Sequence, residues 1–183
     1  MQETKEIPST IEVAGWMALP IGLMWSASFL CTMYGTNHPL LSMLSTVLAI
    51  ISIYTLYKQL TNYRRLYPSV SWLHILRLSF VTCLLAGLLT DAVQYAYFLW
   101  LDGGRLHSLL GTAMQSEEYR ELWQKMMPEA NWNEVQNMVQ SMTVKDIVLQ
   151  LAFYNILLAL PVSLFAALPV RSPQKGNDLN NKS

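Results

Sequence analysis

Charged side chains are missing from long stretches of the chain, and the stretches have the length of membrane helices. From Val13 to Tyr57 there is no Asp, Glu, Lys or Arg over 45 residues, and from Ile147 to Val170 there is none over 24. Between Arg77 and Asp102 the sole charge is Asp91. A soluble helix turns one polar face to water and does not stay uncharged that long. A helix in lipid has to, because a charge at mid-membrane costs at least about 2.5–3.5 kcal/mol.

A span takes about 20 apolar residues, so the longer run predicts a hairpin of two helices. The break falls at Tyr34-Gly35-Thr36-Asn37-His38-Pro39, a cluster of turn formers. The expected spans are residues 10–33, 40–58, 72–101 and 144–168. Ser9 followed three residues later by Glu12 marks the first start as a capping box. Asp102-Gly103-Gly104 stops the third span and Pro169 the fourth. The fold class is therefore all-α, a single membrane domain built as a four-transmembrane-helix bundle. The tail, 169–183, is expected to be disordered.

Orientation follows the basic residues. Lys58, Arg64, Arg65 and Arg77 surround the second connection, Arg171, Lys175 and Lys182 lie in the tail, and the first turn has none. The positive-inside rule then puts that connection and both termini in the cytoplasm. The N-terminus, with Glu3, Glu6 and Glu12 against Lys5, does not read as a signal peptide.

In lipid, helices associate through close packing of small residues rather than through apolar burial. Three stripes suit that role: Ala14, Ala18, Gly22 and Ser26; Ser79, Cys83 and Gly87; and Asn155, Ala159, Ser163 and Ala167. The second continues to Asp91. Asp91 and Asn155 both fall about 14–15 Å from the outer boundary, which predicts a polar seam extended by Gln94 and Gln150. Asp91 is the sharpest functional candidate, because an ionisable group at that depth marks a proton or cation site by default. The structural alternative is a buried, protonated carboxyl held by Asn155, Thr90 or Tyr95.

The third connection, 102–143, is too long for a simple turn and carries helix signals of its own. Ser116 precedes Glu117 and Glu118, and Tyr119, Leu122, Trp123 and Met126 follow at helical spacing up to Pro128. Asn131 with Glu134 opens a second such segment, with Val135, Met138, Val139 and Met142 on one face. Two short amphipathic helices are expected here, on the outer side. Their Met- and Trp-rich faces suit either lipid or a partner.

Composition adds exclusions. Hydrophobic residues make up 52% and charged ones 13%, with a net charge of zero, so nothing points to nucleic acid. Cys31 and Cys83 sit inside spans, and His38, His74 and His107 show no metal-ligand spacing. There is no phosphate loop, nucleophile elbow or HExxH. No enzyme, metal or cofactor is implied.

Tyr63-Arg64-Arg65 after the second span, the third span from Leu78, and Tyr95-Ala96-Tyr97-Phe98-Leu99-Trp100-Leu101-Asp102 resemble a bacterial membrane family, domain of unknown function 4199. The tight first hairpin, long third connection and basic tail match in order. The resemblance implies four spans in the inner membrane of Gram-negative bacteria and supplies no catalytic residues. The expected function is a non-enzymatic inner-membrane protein. It would act through helix-face or periplasmic contacts with a protein partner or as a homo-oligomer, within the lipid bilayer. The alternative is a small transporter or ion-coupled channel using Asp91.

Overall fold

The structure is a computed structural model that describes residues 8–35, 38–126 and 131–171. These residues form α1 (Thr10–Gly35), α2 (Pro39–Leu66), α3 (Trp72–Trp100), α4 (Arg105–Gln115), α5 (Glu117–Met126), α6 (Trp132–Ser141) and α7 (Val144–Ala167), then a 3-10 turn over Leu168–Arg171. There is no strand among them. Four helices, α1, α2, α3 and α7, are long and apolar enough to cross a membrane.

The largest difference from the expected boundaries is in α2, which runs on from Lys58 to Leu66. Lys58 ends the apolar run but not the helix, because Leu60 and Tyr63 continue the buried stripe begun by Ser52 and Leu56. The helix stops at Tyr67, which precedes Pro68 and has left the helical region at φ −129°, ψ 74°. The third connection differs too. It holds three short helices, not two, because Asp102-Gly103-Gly104 starts a helix as well as stopping one. Gly103 and Gly104 turn the chain at φ +57° and +81°, conformations that favour glycine. Buried Asp102 then accepts the Leu106 N–H at 3.1 Å, satisfying one donor at the head of α4.

The starts of α5 and α6 follow the expected caps. Ser116 Oγ accepts the Tyr119 N–H at 3.3 Å, and Asn131 Oδ1 accepts the Asn133 N–H at 3.1 Å. Thr143 caps α7: Asp146 accepts its N–H at 2.9 Å and its hydroxyl at 2.6 Å, and the Asp146 N–H donates back to the threonine hydroxyl. At the other end of α7, Pro169 lies within the 3-10 turn over Leu168–Arg171. The rest of the expected tail, Thr36 and Asn37 of the first turn, and Pro128 lie outside the described residues.

The chain divides into two compact units, one reaching up to Thr90 and resuming at Tyr154, the other Asp91–Phe153. The first is the bundle. Its α1–α2 pair is joined by hydroxyls: the Trp25 indole donates to Ser52 Oγ at 2.9 Å, Ser28 donates to the Ser45 carbonyl at 3.0 Å, and Thr32 meets the Ser45 hydroxyl at 2.7 Å. Where α1 meets α3, a side chain at Gly22 would stand 3.1 Å from the Ala86 carbonyl oxygen. Ser79 donates to the Ser163 carbonyl and the Trp72 indole to the Ala167 carbonyl, both at 3.2 Å, joining α3 to α7. Arg64, near the end of α2, donates to the Val170 carbonyl of the closing turn.

The three small-residue stripes face inward, with Asn155 of the third only partly buried. Ala14, Ala18, Gly22 and Ser26 are buried, as are Ser79, Cys83 and Gly87, and Ala159, Ser163 and Ala167. Large apolar residues lie outside, among them Leu40, Met43, Ile50, Phe153 and Phe165. A water-soluble protein does not carry an apolar surface of that extent. Hydroxyls inside and bulky hydrocarbon outside are what lipid as solvent selects, since tight contact there needs small residues and buried polar groups need partners.

Candidate functional site

The four residues of the expected seam differ in exposure. Asp91 is partly exposed and lies in the second unit, one turn along α3 from Gly87. Asn155 belongs to the bundle, where its Cβ stands 3.6 Å from the position a side chain on Gly87 would take. Gln94 is buried, and its Oε1 has no hydrogen-bond partner among the described residues. Gln150 is exposed, which takes it out of any buried seam. The reason is angular: five residues at 100° each carry it about 140° around α7 from Asn155, whereas Ile147 and Val148 turn inward.

A second candidate site lies wholly within residues 91–153. The end of α4, the start of α5 and the start of α6 enclose a cavity of about 490 Å³, with Glu117, Arg120, Asn131, Trp132, Asn133 and Gln136 among its lining residues. Gln136 fixes the α4–α6 approach by donating to the Met114 carbonyl at 3.1 Å. Glu117 and Arg120 form an exposed pair at 3.8 Å, worth little for stability and available to a ligand. The lining offers a carboxylate, a guanidinium, side-chain amides and an indole. Among the described residues no cluster of His, Cys, Asp and Glu could hold a metal ion.

Beside this cavity the apolar faces of α5 and α6 are largely open. Leu122 is 57% exposed, Met126 71% and Met138 60%. The helical spacing singles out these faces, but not the cavity. In the sequence Ser116 and Asn131 mark only helix starts and nothing announces α4, so the pattern does not bring Arg120 and Gln136 together.

The family model described as protein of unknown function (DUF4199) matches residues 17–171. The chain belongs to this family. The DUF4199 match runs from within α1 to the end of the 3-10 turn, so it takes in most of α1, all of α2, α3 and α7, and the whole α4–α6 segment. No curated protein and no solved structure matches the chain. The DUF4199 description with four membrane helices establishes a multi-pass membrane protein and assigns it no activity.

Proposed function

We propose that this DUF4199 protein is a non-enzymatic protein of the bacterial inner membrane, with both termini in the cytoplasm. It acts by binding a protein partner, or a second copy of itself, through a periplasmic α4–α6 segment. The observation that carries this reading is which faces remain available. The small-residue faces of α1, α3 and α7 are consumed inside the bundle, so they are not free for a partner. Leu122, Met126 and Met138 remain exposed near a polar cavity. Methionine side chains adapt to varied partner shapes, and the cavity supplies directional polar groups. The orientation rests on Lys58, Arg64, Arg65 and Arg77 at one end of the bundle.

A photo-crosslinking side chain at Leu122, Met126 or Met138, activated in native membranes, is expected to give a discrete adduct. Ile50, an outward residue of α2, is expected to give none. The same adducts from Ile50, or no adduct from any position on α5 and α6, would overturn the proposal.

The buried, unpartnered Gln94 Oε1 one turn beyond Asp91 favours one other reading, an ion-coupled transporter. Under it, Asp91→Asn abolishes a flux measured in proteoliposomes, and a wild-type protein with no flux sinks it.

A further inference from the structure

We propose that the bundle holds one anionic phospholipid in a groove between α3 and α7, with its phosphate on Arg77 and an acyl chain against Phe80, Leu160 and Leu164. The groove has a volume of about 360 Å³ and is lined by Leu76, Arg77, Phe80, Leu160, Pro161, Ser163 and Leu164. That volume is in the range of small-ligand clefts. All but two of these residues are apolar. Pro161 contributes to the groove from within α7, where it removes a backbone donor.

Charge decides the occupant. Between Glu12 and Asp91 the chain has no carboxylate, and α7 has none beyond Asp146. Along those stretches lie Lys58, Arg64, Arg65 and Arg77. Arg64 is engaged by the Val170 carbonyl, whereas Arg77 is exposed and forms no ion pair among the described residues. It stands about 7.5 Å along α3 from Trp72, deep enough to need an anion and shallow enough for its stem to reach phosphate level. A guanidinium binds phosphate in a bidentate fork. A zwitterionic lipid brings its own cation to the same place; an anionic lipid does not, and so balances the charge. A cation at one rim of an apolar channel matches a phospholipid in both of its parts.

The full chain, purified in a mild detergent and exchanged into defined lipids, is read by native mass spectrometry for retained lipid. Wild type is expected to retain one phosphatidylglycerol in preference to phosphatidylcholine. Arg77→Gln is expected to lower that retention about tenfold, the loss of one charge-assisted contact, and Leu160→Trp, which fills the groove from an exposed position, to lower it as well. Arg65→Gln, off the groove, leaves it unchanged. Arg77→Lys, a milder change in case the glutamine variant misfolds, retains the preference for phosphatidylglycerol at lower occupancy. Equal retention of the two lipids by wild type would overturn the proposal. So would an effect of Arg65→Gln as large as that of Arg77→Gln, or wild-type retention by Leu160→Trp.

Discussion

Replacing Gly22 with alanine tests how α1 meets α3. The new Cβ would stand 2.8 Å from Leu89 Cδ2, 3.2 Å from Leu89 Cβ and 3.1 Å from the Ala86 carbonyl oxygen. The Leu89 methyl can swing aside. The Ala86 carbonyl belongs to the backbone of α3, so relief there requires the two helices to separate by a few tenths of an ångström along their contact. Overpacking of this kind costs about 1–3 kcal/mol. Alanine also gains helix propensity over glycine, up to about 1 kcal/mol, which partly masks the cost. Gly15 supplies the control, because a Cβ there meets nothing within 4 Å and the substitution carries the propensity gain alone. The difference between the two variants therefore isolates packing. Gly22→Ala is expected to be less stable than Gly15→Ala by about 1–3 kcal/mol. Reversible unfolding in mixed micelles, followed by helix content, measures it. Equal stability of the two would refute the α1–α3 contact at Gly22.

Ser79→Ala removes the hydroxyl that donates to the Ser163 carbonyl at 3.2 Å. The same unfolding is expected to show a loss of about 0.6 kcal/mol, typical of interhelical bonds in membranes; a loss beyond about 2 kcal/mol would contradict that role. Asp102→Ala uncaps α4 at a cost of about 1 kcal/mol. Amide exchange at Leu106 is expected to quicken several-fold, and an unchanged rate would count against the cap. Thr143→Ala and Asp146→Ala each break the reciprocal cap of α7 and are expected to cost about 1 kcal/mol singly. The double variant should cost less than their sum, because the two act as one unit; strict additivity in the cycle would dissolve the capping box.

The spans were legible because lipid leaves a negative signature, the long absence of charge, which needs no knowledge of the fold. The small-residue stripes were legible for a related reason: close approach demands small side chains at helical spacing, and Ala14, Ala18, Gly22 and Ser26 all turned inward. Partner choice was not. Ser45 and Ser52 on α2 look like ordinary polar interruptions until Ser28 and Trp25 are seen opposite them. The end of α2 is not legible, because charge marks where an apolar run stops, and a helix continues past that point while it still has a buried stripe. Asp102-Gly103-Gly104 signals a break in either direction, so α4 went unseen, and with it the cavity that α4, α5 and α6 share. Only its depth along α7 joins Gln150 to the seam. Depth is linear in residue number, but facing depends on the 100° step, and that step turns Gln150 outward.

Cysteine labelling across the membrane addresses the arrangement most directly. In a chain with Cys31 and Cys83 replaced by alanine, single substitutions Arg65→Cys and Glu121→Cys report the end of α2 and the middle of α5. A membrane-impermeant maleimide added to intact cells is expected to label Glu121→Cys at once and Arg65→Cys only after the inner membrane is permeabilised. Labelling of Arg65→Cys in intact cells, with Glu121→Cys protected, would reverse the orientation and remove the α4–α6 segment from the compartment in which it is proposed to bind.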